Sequence, residues 1–319
     1  MDPLTHVPTL DDIRGAALRI APHAHHTPVL TSRTLEKLAG CEIYFKCESF
    51  QRAGAFKFRG ACNAVFSLGD EEAARGVVTQ SSGNHGAAIA LACRLRGIPA
   101  TVVVPQGASR AKLAAIREYG GEIVPCGATQ ASRDEVVREV LARNAGVYVH
   151  PFNDARVIAG QGTATLELME DVPGLDIVIA PVSGGGLLSG ACLAAHGLDP
   201  ALDVLGAEPE GAADAHESLK RGERVAGWTM NTLCDGLRAE LGPLTFAILR
   251  EHVKDILLAS DDETIAAMRL VFERLKAVVE PSSAVPLAAI LRYPDRFAGK
   301  RVGVILSGGN VDLDALPWR

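Results

Sequence analysis

The sequence predicts an α/β protein in which mostly parallel sheets are flanked by helices. Short β-rich runs alternate with segments of helical periodicity along the chain, a pattern typical of strands joined by crossover helices. Glycine-marked turns follow several of these runs, as they do at the ligand-binding edge of open α/β sheets. The 319 residues are 48% hydrophobic and 22% charged, which is enough apolar material for a core split over two lobes.

The elements follow one another regularly in both halves of the chain. Strand-like runs occupy 42–49, 76–82, 101–105, 122–126 and 147–150, then 176–182, 203–209, 255–260 and 301–309. Helical spacing occupies 87–97, 109–121 and 132–144, and a long helix is expected from Asp262 to about Val279. Two of these helices end at glycines, Gly97 and Gly120, because glycine adopts the left-handed conformation that closes a helix. Such βα alternation favours parallel sheets covered on both faces.

The domain division has to come from connectivity, because no linker rich in proline, glycine or serine interrupts the chain. Residues 75–151 contain four strand-like runs and can form a compact unit. The flanking residues, 1–74 and 152–319, then form one larger domain, with the chain passing out and back.

Charge and composition exclude several classes of partner. The formal net charge is −6 and no run of five like charges occurs, so neither nucleic acid nor an anionic membrane is expected as a partner. No stretch of 18 apolar residues could span a bilayer, and the first residues lack a signal-peptide pattern. The seven cysteines are scattered without a CxxC pair, which favours a reducing, cytoplasmic environment over a disulfide or zinc framework.

Four glycine-marked turns are the candidate ligand-binding segments, at 51–61, 81–86, 183–190 and 307–310. The third follows a strand and opens a helix, where free N–H groups and the helix dipole favour a phosphate. A plain tight turn is the structural alternative. A second functional alternative is an NAD-dependent oxidoreductase, because Gly184, Gly186 and Ser189 nearly fit GxGxxG and Glu208 lies about 20 residues further on.

Lys57 stands between two phenylalanines in the first of these turns. A lysine is usually a solvated surface residue. Here Gly54, Gly60 and the aromatic neighbours indicate a buried turn beside a ligand, where desolvation lowers the pKa of an amine and makes it a nucleophile toward carbonyl groups.

The four turns, in this order, resemble those of the fold-type II enzymes that use pyridoxal 5'-phosphate (PLP), specifically the serine/threonine dehydratase and serine racemase family. The segments 150–167, 235–238 and 280–289 match that family as well. The resemblance implies a two-domain fold like that of the tryptophan synthase β subunit, with a large PLP-binding domain, a small mobile domain and a homodimer. It also implies an ammonia-lyase that converts a small β-hydroxy amino acid into a 2-keto acid. A non-catalytic binding module is the remaining alternative.

The resemblance assigns roles to individual residues. Lys57 carries the cofactor and then serves as a base, and Phe56 lies beside it. The remaining cofactor contacts are the phosphate loop of Ser183, Gly184, Gly185, Gly186 and Leu187, the amide of Asn84 at the 3-hydroxyl, the hydroxyl of Ser307 at the pyridine nitrogen, and Glu280 nearby.

Substrate contacts are expected from the second turn and from one arginine. Ser81, Ser82, Gly83 and His85 fall in the loop that clasps the substrate carboxylate, and Ser82 is placed to protonate the face opposite Lys57. Arg133 aligns with an arginine near the substrate mouth, although an exposed helical arginine is an equally plain explanation.

A divalent-cation site is also implied by the resemblance to the racemase-like branch. Its ligands would be Glu208, the carbonyl of Ala212 and Asp214, a set of hard oxygen donors that suits Mg²⁺, or Ca²⁺ or Mn²⁺. An acidic surface turn is the alternative explanation.

The substrate is the least determined feature. Ala55 stands where many relatives have serine, and with the ending SGGNVDLDALPW it looks more like the 3-hydroxyaspartate dehydratases than the threonine enzymes. A buried β-carboxylate needs a charged or multiply donating partner, for which His85 and Arg133 are the candidates. We therefore expect 3-hydroxyaspartate to be converted to oxaloacetate, with threonine or serine dehydration, or serine racemisation, as the alternatives.

Overall fold

The structure is a computed structural model that describes residues 5–81, 83–108 and 110–318. The strands of this part of the chain are β1 (Val29–Leu30), β2 (Glu42–Cys47), β3 (Val77–Gln80), β4 (Ala100–Pro105), β5 (Glu122–Cys126), β6 (Val147–Tyr148), β7 (Ile177–Pro181), β8 (Asp203–Pro209), β9 (Asp255–Ala259) and β10 (Arg301–Leu306). The α-helices are α1 (Leu10–Ile20), α2 (Arg33–Ala39), α3 (Lys57–Phe66), α4 (Asp70–Ala74), α5 (Asn84–Arg96), α6 (Arg110–Glu118), α7 (Gln130–Asn144), α8 (Ala155–Asp171), α9 (Gly186–Leu198), α10 (Asp214–Arg221), α11 (Pro243–His252), α12 (Asp261–Leu270) and α13 (Pro281–Arg292).

The larger sheet has six strands in the order β1-β2-β10-β7-β8-β9. All neighbours are parallel except β1, which pairs antiparallel with β2 at the edge. Alternate residues of β7 face opposite sides: Ile177 and Ile179 pack with α13, whereas Val178 and Ala180 pack with α9 and α11. Both faces are therefore buried, which explains why these strands read as continuous apolar runs.

The smaller sheet has four parallel strands in the order β5-β4-β3-β6, all drawn from residues 77–148. Val102 and Val104 face α5 and α6, and Val103 faces α7. The predicted α/β class is thus confirmed, while the division of the chain into a large and a small mobile domain stays a prediction.

Glycines let the helices α3, α8 and α9 approach one another unusually closely. A Cβ added to Gly160 of α8 would lie 2.6 Å from the Cα of Gly60 in α3. On the same helix α8, Gly162 meets Gly190 of α9, whose added Cβ would lie 2.5 Å from the Gly162 nitrogen. The start of α3, which carries Lys57, is therefore set by backbone-to-backbone packing that larger residues would prevent.

The long helix expected over 262–279 is shorter than predicted. The α-helix ends at Leu270 and continues as one π-helical turn over Val271–Leu275. Lys276 then adopts the left-handed conformation with φ 58° and ends the helix. Because the helix ends at this point, Glu280 lies at the start of α13. The Glu280 N–H donates to the Gly308 carbonyl, so Glu280 lies beside the turn that follows β10.

The seven cysteines are buried, free thiols. Within the described residues, none of the helices is both long and apolar enough to cross a membrane.

Candidate active site

A cavity of about 880 Å³ opens where the carboxyl ends of strands from both sheets meet. From the smaller sheet, the residues following β3 and β6 line it, including Ser81 and His150. From the larger sheet, the residues following β7 and β10 line it, including Ser183 and Ser307. Lys57 at the start of α3 joins them, so the topology brings residues of all four predicted turns to one site.

Backbone hydrogen bonds hold the Lys57 turn against the turn after β10. The Phe56 N–H donates to the Ser307 carbonyl at 2.9 Å, and the Gly309 N–H donates to the Gly54 carbonyl at 2.9 Å. The Lys57 ammonium Nζ donates to the carbonyl of Pro151 at 2.9 Å and lies 5.1 Å from the centre of the Phe56 ring. Lys57 is thus fixed between the two sheets.

Burial lowers the pKa of Lys57 to about 8, although the nearby carboxylate of Glu280 opposes the shift. With such a pKa roughly one tenth of the amine is neutral at pH 7, far more than for an ordinary lysine, and the neutral amine is the form that attacks carbonyl groups.

The glycine turn before α9 has the geometry of an anion site. Gly185 has φ 89°, a conformation that side chains other than glycine rarely adopt. The Thr245 hydroxyl donates to the Gly184 carbonyl at 2.8 Å, and the Ser183 hydroxyl bonds both backbone groups of Ala239 at 3.0 Å. These bonds fix the turn, and the N–H groups of the first turn of α9, which begins at Gly186, have no intrahelical acceptors.

Asn84 is held between two partners outside the smaller sheet, Glu280 before α13 and Asn310 after β10. Its amide nitrogen donates to both carboxylate oxygens of Glu280, at 2.9 and 3.1 Å, and its amide oxygen accepts from Asn310 at 3.0 Å. Asn310 also donates to the carbonyl of Ala53, in the Lys57 turn. Burial raises the pKa of Glu280 to about 7, while the hydrogen bond from Asn84 opposes the shift. Asn310 belongs to the predicted SGGN turn, but its bridging position was not evident from the sequence.

The residues expected to contact substrate lie on one wall of the cavity, with one exception. Ser81, Gly83, His85 and Arg133 line the cavity, whereas Ser82 lies outside the described residues. Burial lowers the pKa of His85 well below its usual range, and the positive charge of Lys57 adds to the shift. The buried Nε atom of Arg133 has no hydrogen-bond partner among the described residues, and its Nη2 atom donates to Ala128 at 3.4 Å.

Two further features at the cavity were not identified from the sequence. Lys112 of α6 forms an ion pair with Asp235, which belongs to the larger-sheet side of the cavity. His150 follows β6 inside the segment 150–167 that matched the family as a whole, and this match was the available signal.

The expected metal ligands lie together at the end of β8 and are not themselves among the residues that line the cavity. The two carboxylate oxygens of Glu208 accept backbone N–H groups at the start of α10, at 3.1 and 2.9 Å, and Asp214 accepts from the Leu241 N–H at 3.1 Å. Burial, reinforced by the charge of Asp214, raises the pKa of Glu208 well above its usual range. Burial also raises the pKa of Asp214 to about 7.

Ala212 lies in the 3-10 turn Glu210–Ala212, directly before Asp214. Within the described part of the chain, no cluster of three or more histidine, cysteine, aspartate or glutamate side chains could hold a metal ion. Glu208 and Asp214 are a pair of buried carboxylates with an electrostatic cost that a hard cation would relieve, so the oxygen donors fit such an ion.

The residues of the cavity fit PLP. The cofactor requires an amine for its aldehyde, an anion cradle for its phosphate and polar groups around its ring. Lys57 supplies a buried amine, the turn before α9 supplies the cradle, and Asn84 and Ser307 supply polar groups within the same cavity. A Cβ at Gly184 would lie 2.5 Å from the Phe152 ring, so the closeness of this turn to the cavity wall also depends on glycine.

Comparisons with known proteins agree with this fit. The family model described as pyridoxal-phosphate dependent enzyme matches residues 20–308. The beta-hydroxyaspartate dehydratase of Paracoccus denitrificans (strain Pd 1222) is 52% identical over 313 residues, which cover 98% of this chain and 99% of that protein. The serine racemase of Dictyostelium discoideum is 49% identical, with 99% and 98% of the two chains covered. The solved structure of maize serine racemase has a TM-score of 0.95 at 46% identity and covers 97% of this chain and 95% of its own. The chain belongs to the family of pyridoxal-phosphate-dependent enzymes.

Proposed function

We propose that the protein is an ammonia-lyase that converts 3-hydroxyaspartate into oxaloacetate and ammonium. The supporting observation is one cavity that holds the buried amine of Lys57 and, on another wall, the guanidinium of Arg133 with a buried Nε that has no partner among the described residues. The similarity to a beta-hydroxyaspartate dehydratase over nearly the whole chain supports the same substrate. It also favours PLP chemistry over the NAD-dependent alternative for the turn at 183–190.

The residues divide the work between binding and proton transfer. When bound, PLP supplies an electron sink that makes the α-proton of an amino acid acidic. Lys57 would hold the cofactor, and in its free form the Lys57 amine would accept the α-proton of the substrate. The β-hydroxyl then leaves as water, and hydrolysis of the product consumes one water to give the keto acid and ammonium. Glu280 and Asn310 fix the orientation of the Asn84 amide at the cavity.

The β-substituent distinguishes the three possible substrates. Serine carries hydrogen, threonine a methyl group and hydroxyaspartate a carboxylate. A methyl group in an apolar pocket provides only about 1–3 kcal/mol of discrimination. A carboxylate opposite a guanidinium can form two charge-assisted hydrogen bonds, which provides stronger discrimination. Arg133 is therefore the residue on which the choice of hydroxyaspartate depends.

The test is to measure kcat/KM for serine, threonine and the threo and erythro isomers of 3-hydroxyaspartate, in the wild type and in Arg133→Ala. We expect one hydroxyaspartate isomer to be preferred, and Arg133→Ala to reduce its kcat/KM at least about 10-fold, because a charged hydrogen bond is lost. Arg143→Ala, which alters an arginine outside the cavity, is the matched control. Threonine turnover as fast as that of every hydroxyaspartate isomer, with no loss in Arg133→Ala, would refute the proposal.

Serine racemisation is a second candidate activity, favoured by the 49% identity to a serine racemase. Ser82 would donate the proton on the face opposite Lys57. We expect the wild type to form some D-serine from L-serine, and Ser82→Ala to lose this activity while it keeps part of the dehydration. A wild type that forms no D-serine would exclude this candidate.

We also propose that Glu208, the Ala212 carbonyl and Asp214 bind Mg²⁺, with Ca²⁺ and Mn²⁺ as alternatives. The support is the pair of adjacent buried carboxylates, because a cation would neutralise their mutual repulsion. EDTA should then lower the thermal stability, and Mg²⁺ should restore it, whereas Glu208→Gln should be insensitive to both. An unchanged melting temperature of the wild type in EDTA would favour the acidic-turn explanation.

We also propose that the protein is a homodimer and is located in the cytoplasm. Residues 75–151 are proposed to form a mobile domain that closes over the cavity. The support for the dimer and for the mobile domain is the family resemblance. Sedimentation equilibrium measures the mass of the assembly, and a monomer at working concentration would contradict the dimer.

A further inference from the structure

His150 lies at the passage from the smaller sheet to α8. It follows β6, and the next three residues connect it to both walls of the cavity. The Pro151 carbonyl accepts from Lys57 Nζ at 2.9 Å, and the Asn153 side-chain oxygen accepts from the Leu244 N–H at 2.9 Å. The half-buried His150 ring lines the cavity between these anchors.

The tautomer and orientation of the His150 ring are fixed by its own segment. Nδ1 accepts the backbone N–H groups of Phe152 at 3.3 Å and Asn153 at 2.9 Å. A neutral imidazole whose Nδ1 accepts carries its proton on Nε2. The Phe152 ring packs edge-on against the imidazole, with ring centres 4.5 Å apart and an angle of 85° between the planes. The ring is therefore held in place before any ligand binds.

The environment keeps this ring uncharged. Burial lowers the pKa of His150 to about 4, and the positive charge of Lys57 adds to the shift against the opposing effect of Asp134. The pKa of His85 is lowered as well, by burial and by the charges of Lys57 and His150. Near pH 7 the Nε2–H group is thus a neutral donor, and it has no acceptor among the described residues.

A fixed neutral donor suits a permanent anion better than a leaving hydroxyl. The departing β-hydroxyl needs a proton, and a neutral imidazole releases its Nε2 proton only with great difficulty. A carboxylate needs only hydrogen bonds from donors, and Arg133 lines the same cavity.

We infer that His150 is a specificity-determining residue whose Nε2–H group binds the β-carboxylate of the substrate together with Arg133. This inference rests on the proposed function, because serine and threonine have no such carboxylate. The donor selects the acidic substrate and takes no part in the proton transfers.

Two substitutions separate the donor from the structural role of the ring. In His150→Asn the short amide can place its oxygen where Nδ1 accepts the two backbone N–H groups, while the donor into the cavity is lost. In His150→Gln the longer amide can keep a donor near the Nε2 position, while the backbone contacts are weakened. If His150 has only a structural role, His150→Asn should retain more activity than His150→Gln. If His150 acts as a hydrogen-bond donor to the substrate, His150→Gln should retain more activity than His150→Asn.

The experiment combines kinetics with a binding measurement on the PLP-loaded enzyme. For His150→Asn we expect kcat/KM for 3-hydroxyaspartate to fall about 10- to 100-fold, the effect of one hydrogen bond to a charged group, with less than about a threefold change for serine. Calorimetry should show that succinate binding weakens by a similar factor while binding of butyrate, which lacks the second carboxylate, is unchanged. His150→Gln should recover part of both losses.

The outcomes distinguish this inference from the proposed function. Unchanged succinate binding in His150→Asn would overturn the role of His150, whichever hydroxy amino acid the wild type prefers. An equal loss for serine and hydroxyaspartate would also overturn it, because the contact would then be to a group that both substrates share. A wild type that acts on serine but on no hydroxyaspartate isomer would refute the proposed function, and succinate binding would still report on His150.

Discussion

At the scale of single residues, burial in the cavity favours the neutral forms of two ionisable side chains that are normally charged near pH 7, Lys57 and Glu280. Burial lowers the pKa of Lys57 and raises that of Glu280, so each group is pushed toward its neutral form. The two side chains also interact, because the charge of each opposes the shift of the other. An amine kept reactive near pH 7 is the physical requirement for covalent attachment to an aldehyde.

The lowered pKa of Lys57 predicts how the cofactor-free protein reacts with PLP. The rate of covalent attachment should rise with pH through a midpoint near 8, because neutral amine is the reactive form. Stopped-flow absorbance measures the rate, and borohydride reduction followed by peptide mapping should place the label on Lys57. Lys46 is the control, since it is buried in ion pairs with Glu167 and Asp171. A label on Lys46 would overturn the assignment.

The raised pKa of Glu280 predicts a pH dependence of stability in the cofactor-free protein. Between about 4.5 and 7 the folded state binds more protons than the unfolded state, so this group makes the free energy of unfolding fall as pH rises. Glu280→Gln should remove this contribution, which is at most about 3 kcal/mol over that range. Urea titrations of both proteins at pH 4.5, 6 and 8 measure it. Parallel pH profiles would contradict the prediction.

At the scale of elements, α3 is fixed by both packing and charge. Gly60 lets α3 lie against α8 at backbone contact distance. Arg59, fully buried, pairs with Glu48 at 2.7 Å and with Glu167 of α8 at 2.6 Å. Removing one partner of such a buried network leaves an uncompensated charge, so α3 and the Lys57 at its start are held together as one unit.

The turn before α9 gives the prediction for this scale. Gly185→Ala places a Cβ 2.7 Å from the Cβ of Thr245 in a backbone conformation with φ 89°, and should cost at least about 1–3 kcal/mol of stability. PLP affinity, measured by fluorescence titration, should fall at least about 10-fold, because the N–H groups that would hold the phosphate are displaced. Gly15→Ala in α1, where the added Cβ meets no atom within 4 Å, is the matched control. Equal PLP affinity in both variants would show that the turn does not hold the phosphate.

At the scale of the whole molecule, the site exists only between the two sheets. Lys112 from the smaller-sheet side and Asp235 from the larger-sheet side form an ion pair at the cavity, and Asn84 reaches Glu280 across the same boundary. These polar contacts supplement an apolar cluster that already joins α3 and α8 to α5 and β3, and they should affect how easily the cavity opens.

The Lys112–Asp235 pair should contribute to substrate retention by a modest amount. A partly exposed ion pair is worth about 0.2–1 kcal/mol, so Lys112→Ala and Asp235→Ala should each raise KM by no more than about fivefold. The double variant should be less impaired than the sum of the single variants, and hydrogen exchange of α6 should be faster in all three. Lys254→Ala breaks the exposed pair with Asp203 away from the cavity and serves as the control. Additive effects would exclude a direct role of the pair.

The sequence by itself determined the α/β class, most strand positions and the segments that carry the site. These features are local: apolar alternation, β-branched runs and glycine turns reflect the backbone conformation of a few neighbouring residues. The end of the helix that begins at Asp261 was predicted too late in the chain, because Lys276 adopts a left-handed conformation that its residue type does not indicate. Residues of all four predicted turns line one cavity, yet the spacing of the turns along the chain did not indicate which side chains would meet.

Which of these side chains come into contact was determined only by the tertiary structure. Asn310 lies 226 positions from Asn84, and Lys112 lies 123 positions from Asp235, so no local pattern links the partners. The lowered pKa of Lys57 likewise depends on burial in the assembled cavity, whereas the tautomer of His150 is fixed by backbone N–H groups two and three residues further along its own segment. Desolvation is a property of the assembled cavity. The sequence therefore indicated the type of chemistry, but not how burial and neighbouring charges shift the pKa values of the residues that carry it.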